Sequence, residues 1–129
     1  MPDLFSIDTI EVNEEGISVF SQSEYPKEVR GGMQLTPRID AQNLRLRTSQ
    51  PGYKTDWHLA GDPTLIIIQQ GTLRIGLQNG ETRDYKAGEA FIARDRLPEE
   101  IVFDPQKHGH KAEVIGNEVL KAVHIKLAD

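Results

Sequence analysis

The chain contains no cysteine. That excludes a disulfide framework, a thiolate nucleophile and any zinc site built on cysteine ligands. It agrees with a reducing compartment. Long apolar runs are missing too. Unbroken apolar stretches stop at four residues, as in Leu65-Ile66-Ile67-Ile68, whereas a membrane-spanning helix needs roughly 20. Met1 to Glu15 is acidic and sparsely apolar. It lacks the basic start and hydrophobic stretch of a secretory leader, so the expected location is the cytoplasm and no membrane partner is expected. An excess of basic residues is also absent. Fifteen Lys and Arg stand against twenty Asp and Glu, a net charge of −5. Such a surface repels phosphate backbones, so nucleic acid is not an expected partner. Helical periodicity is nearly absent, and Tyr25 to Arg30 is the one helical candidate.

What remains is a pattern of short strands and turns. The 129 residues amount to one domain, large enough to bury roughly two-thirds of its unfolded surface. Ile17 to Phe20 reads as a first short strand. Asn43 to Thr48 alternates apolar and polar residues with period two, the mark of a half-buried strand, and Pro51-Gly52 ends it. Thr64 to Gln69 is a continuous β-branched run, expected to be buried on both faces. A dimer interface or a covering N-terminal strand would explain that burial equally well. Thr72 to Leu77 and Thr82 to Tyr85 flank Asn79-Gly80, a strong hairpin signal because a type I′ turn needs positive φ at both central residues. Ala90 to Ala93, His110 to Ile115 and Val119 to Leu127 complete the set. Arg94 to Gly109 is either a mobile loop or a short extra element around Ile101-Val102-Phe103. With no helical crossovers for parallel pairing, the expected fold is all-β: an antiparallel double-sheet jelly-roll barrel, closed to limit exposed edges.

The candidate chemistry begins at Gly52 and His58, followed by the turn Gly61-Asp62-Pro63, the strand from Thr64, and Gly71. Gly88-Glu89-Ala90-Phe91-Ile92-Ala93 repeats the glycine-then-strand pattern. This framework resembles the cupin superfamily from about Gln50 to the C-terminus. Asp56-Trp57-His58 and Gly109-His110-Lys111 further resemble small cupins with a Trp-His pair, an Ala-Glu-Asp-like strand end and a Gly-His-Arg strand start. The resemblance implies one cupin-like domain over residues 1–129, with an N-terminal extension of 1–40 whose short strands pack on a barrel core of 50–127. It also implies a homodimer and a barrel pocket. His58 stands at the first motif histidine. Ala60 stands at the second, Thr64 at the motif glutamate, and His110 supplies the second-motif histidine. Leu97 to Gln106 is then an insertion. The alternative alignment places Glu99 at that last position.

The expected pocket residues are therefore His58, Trp57, Thr64, Ile66, Arg47 and His110. Trp57 either lines the pocket or plugs a barrel end. Arg47 either faces the pocket, where it could bind a carboxylate, or points outward opposite Leu44 and Leu46. A divalent transition metal (Zn, Fe, Ni or Mn) would take His58 and His110, with His108, His124, Asp56 or Glu99 as a third ligand. Two histidines alone are few, since such sites use three or more protein ligands. Three functions follow. The first is a cupin that binds a small-molecule ligand, with its metal site degenerate or lost. The second is a metal-dependent dioxygenase or isomerase. The third is an interaction domain with a vestigial pocket. An acid–base isomerase with His58 as base is a further variant of the enzyme reading.

Overall fold

The structure, a computed structural model, describes residues 4–128. They form strands β1 (Leu4–Val12), β2 (Ser18–Pro26), β3 (Glu28–Arg30), β4 (Met33–Leu35), β5 (Ala41–Ser49), β6 (Thr64–Gln70), β7 (Thr72–Leu77), β8 (Thr82–Lys86), β9 (Ala90–Ala93), β10 (His110–Ile115) and β11 (Leu120–Leu127). A six-stranded sheet in the order β2-β1-β9-β6-β11-β5 faces a three-stranded sheet β10-β7-β8, and β3-β4 form a separate ribbon. The expected all-β double-sheet roll is observed. Its closure differs from expectation, because the two sheets are not joined into one hydrogen-bonded ring. Six strands facing three leave part of the larger sheet without a partner layer.

Two further expectations are corrected. Tyr25 to Arg30 is extended rather than helical. The Tyr25 backbone pairs with Phe5 in a nine-residue β1–β2 ladder, and Glu28–Arg30 turns back on Met33–Leu35 through Gly31-Gly32. Cross-strand pairing outweighs a weak helical preference in so short a segment. The second concerns strand direction: β1 runs parallel to β9 over Asp8 to Ile10. Parallel neighbours need only a long connection, and here strands β2 to β8 supply it. Residues 101–103 take no regular structure. The loop around them is nevertheless pinned by buried Asp95 near its start and buried His108 near its end.

The core lies where the sheets overlap. Ile10, Ile68 and Phe91 from the large sheet meet Leu73, Ile75, Leu77, Tyr85 and Val114 from the small one. Tyr85 stacks on Phe91 with ring centroids 4.5 Å apart. Burying one such side chain stabilises the fold by about 2–3 kcal/mol. On the other side of the small sheet, residues 52–58 run antiparallel to β10. The Gly52 and Thr55 amides donate to the Val114 and Ala112 carbonyls, and His58 exchanges two backbone hydrogen bonds with His110. This ribbon extends the small sheet toward the mouth.

The register defines the inner face of the large sheet. Phe91, Ile66, His124 and Arg45 form one cross-strand row, and Ala93, Thr64, Lys126 and Asn43 form the next. Each row begins apolar and ends polar at the edge strand β5. Across β5 the alternation is the reverse of a core strand. Arg45 and Arg47 share the inner face, while Leu44 and Leu46 point out, 59% and 73% exposed.

Candidate functional site

A cavity of about 500 Å³ opens at the uncovered end of the roll. Its wall includes Asn43, Arg45 and Arg47 of β5, Thr64 and Ile66 of β6, and His124 and Lys126 of β11, with His58 and His110 across from them. Five of the pocket residues named from the sequence, His58, Thr64, Ile66, Arg47 and His110, line it together. Trp57 does not. It is half-buried outside the cavity, under the Lys111 ammonium at 4.7 Å from the ring centroid. The chain bends at Trp57, and the cavity wall begins at His58 and continues through Leu59 and Ala60.

His58 and His110 are directly opposite each other across the ribbon, so their side chains leave the same face. Their ring centroids are 4.4 Å apart. Gly109 makes this pairing feasible. A Cβ there would lie 2.6 Å from the His58 carbonyl oxygen, and its φ of +87° disfavours any other residue.

Hydrogen bonds fix both rings. His58 Nδ1 donates to the Asp56 carbonyl at 2.8 Å, which leaves Nε2 with the lone pair. His110 Nδ1 lies 2.6 Å from Asp95 Oδ2 and donates a hydrogen bond to that carboxylate. Asp95 is fully buried. It also accepts from the Ser18 hydroxyl at 2.9 Å and from the Ala60 amide at 3.3 Å. Burial, helped by the neighbouring His110, pushes the His58 pKa below the usual histidine value, although the Asp56 hydrogen bond opposes it. His58 is therefore a neutral acceptor at neutral pH. The imidazole of His124 is pushed down to about 4, first by burial and then by Arg47, Lys126 and Arg45.

The remaining histidine, His108, lies outside the cavity. Its Nδ1 accepts the Asp104 amide at 2.9 Å, which stabilises the turn before Gly109. Asp56 contributes its carbonyl rather than its carboxylate, and Glu99 is exposed in the loop. Neither is part of the wall.

A metal fits these residues poorly. Among the described residues no group of three or more His, Cys, Asp or Glu is placed to hold an ion. His124 lines the cavity without completing such a group with His58 and His110. The wall adds only the neutral oxygens of Asn43 and Thr64, beside Arg45, Arg47 and Lys126, whose charges oppose a cation at short range.

Sequence reading missed Asp95, Ser18, Asn43, Arg45 and Lys126. Asp95 left a trace, since Ala93-Arg94-Asp95 matches the acidic strand end that accompanies the Trp-His pattern. Asn43 and Arg45 were implied by period two once Arg47 was placed on the inner face. Ser18 left none, because it reaches Asp95 across 77 positions of chain.

No protein-family model matches the chain, and a search of curated proteins finds no match. Solved structures do resemble it. The cupin domain of Cnp3 from Schizosaccharomyces pombe aligns over 100% of this chain and 90% of that one, with 11% identity and a TM-score of 0.51. A conserved protein of unknown function from Streptococcus pyogenes aligns over 74% of this chain and 70% of that one, with 15% identity and a TM-score of 0.50. A cupin-2 domain protein from Shewanella frigidimarina covers 72% of this chain and 80% of its own, at 20% identity and a TM-score of 0.48. At such identities the likeness is one of fold.

Proposed function

The chain has a cupin fold, and on that premise we propose that its cavity binds a small organic molecule, with His58 and His110 contacting it. The observation that carries this reading is the pair of rings, both fixed through Nδ1, in the wall of a cavity of about 500 Å³. Pockets of roughly 300–1,000 Å³ suit small ligands, and a few fixed polar groups orient what enters. Two-dimensional amide NMR of the chain against a library of small organic compounds tests it. Shifts clustered at Ala60, Ala93 and His110 are expected for at least one class of compound. Shifts scattered over the surface, or none, remove the reading.

The Asp95–His110 contact favours a second reading, proton transfer on the bound molecule. A buried carboxylate on Nδ1 holds the ring in one tautomer and stabilises the imidazolium that forms when Nε2 takes a proton. A ligand with an acidic C–H would exchange it for deuterium in heavy water. The rate should collapse in Asp95→Asn while binding persists, and absence of exchange with wild type eliminates this second reading.

A further inference from the structure

We propose that the ligand is an organic carboxylate, held through its anionic group by Arg45, Arg47 and Lys126, with a hydrogen-bond donor turned toward His58. This rests on the reading that the cavity binds a small molecule, and it names the class.

The charge distribution is the first support. The chain carries a net charge of −5, yet three of the residues lining this cavity are permanent cations and none is acidic. The ion pairing of the arginines is the second. Arg74, Arg83 and Arg96 each hold a carboxylate, that of Asp84, Asp8 and Asp62. Arg45 and Arg47, like the exposed Arg30 and Arg38 outside the cavity, hold none among the described residues, and Lys126 reaches the carbonyls of Ala60 and Asp62, at 3.1 and 3.3 Å. The third is the reversed alternation of β5, which turns two guanidinium groups inward and leaves Leu44 and Leu46 exposed. An ordinary packed strand does the opposite. Two planar forks beside an ammonium group match the two oxygens of a carboxylate.

The far end is set by His58. Its Nδ1 hydrogen is committed to the Asp56 carbonyl, so Nε2 presents a lone pair and calls for a donor such as a hydroxyl group. Between the two ends stands His124. It faces Arg45 and Arg47 from β5, Lys126 on its own strand and Ile66 from β6. The three cations oppose its protonation. An anion seated among them offsets their field.

Calorimetric titration of the full chain near neutral pH and at low salt tests the proposal. The probes are citrate, gluconate and benzoate, with benzamide and sorbitol as uncharged controls and inorganic phosphate as a different anion. At least one carboxylate should bind while the controls do not. Its affinity should fall by about tenfold or more in Arg45→Gln and in Arg47→Gln, and should weaken with added sodium chloride in wild type. The salt series needs no variant, so a substitution that fails to fold leaves the test intact. Controls that bind as well as carboxylates, phosphate that binds better than all of them, or unchanged affinity in both arginine variants each overturn the proposal. An uncharged compound bound at the cavity amides would do so while sparing the small-molecule reading. No cavity ligand of any class would remove both.

Discussion

Between its two sheets the molecule has two interiors that differ in kind. Under β7, β8 and β10 the large sheet meets a full partner layer, and Phe91, Ile10, Ile75 and Val114 are shut off from water. Under the ribbon of residues 52–58 the same sheet has only partial cover, and its inner rows end in His124, Lys126, Arg45 and Arg47. One pleated surface passes from dry to wet within three strands. The difference teaches that the facing layer, rather than the strand's own composition, decides which face of a strand is the inside. Hydrophobic side chains follow the closed end, and the open end is free to carry charge that a packed core would not tolerate.

Substitutions at the two ends should therefore behave differently. The largest effect is expected at the dry end, where Phe91→Ala should cost about 3–5 kcal/mol in urea denaturation. A cost below that of an exposed apolar residue would show that the two ends do not differ in packing. Asp95→Asn comes next. It breaks a buried charged contact to His110 and should cost about 3 kcal/mol, with the His110 ring losing its fixed tautomer in nitrogen-15 NMR. Gly109→Ala should cost about 2 kcal/mol through backbone strain. It should also weaken the proximity between the His58 and His110 rings in nuclear Overhauser spectra; an unchanged proximity would mean that the close approach of the two backbones does not control their pairing.

The pH response sharpens the comparison further. Burial and the neighbouring cations push the His124 pKa down to about 4 in the folded chain, from the usual histidine value of about 6.5 when unfolded. Between those values the unfolded chain binds more protons, so stability falls as the pH drops through that window and is fully retained above it. In an Arg45→Gln, Arg47→Gln double variant the His124 pKa should rise, and the loss of stability should narrow. Acid denaturation curves of the two proteins that coincide would show that the cations do not control His124. The smallest effect belongs to Arg47→Leu, expected to change stability by no more than about 0.5 kcal/mol. A large loss there would place Arg47 in the packed interior after all.

Much of the fold was legible because it is local. The hairpin at Asn79-Gly80 forms, although not through the expected type I′ turn, since Gly80 takes a positive φ (+91°) and Asn79 does not; the period-two strands from Thr72 and from His110 lie where alternation placed them. The long β1 strand was not legible, because Met1 to Glu15 was read as one acidic stretch, although five of the nine β1 residues are apolar and Ile10 enters the core once β1 pairs with both β2 and β9. At the site, His58 and His110 stood out through their glycine framework. Trp57 was drawn in by the Trp-His pattern, yet it lies at a bend outside the cavity wall.

By itself the sequence determined that this would be a cysteine-free, all-β domain with turns at its glycines, since turn chemistry and alternation act over a few residues. It also determined that one face of β5 would carry Asn43, Arg45 and Arg47 together, because the strand period does not depend on context. Only the tertiary structure decided that this charged face looks inward. That choice depends on the six-against-three mismatch of the sheets, which leaves room for water beside β5. It also brought Asp95 and Ser18 to His110, a contact made by residues far apart in the chain and joined only when the roll folds.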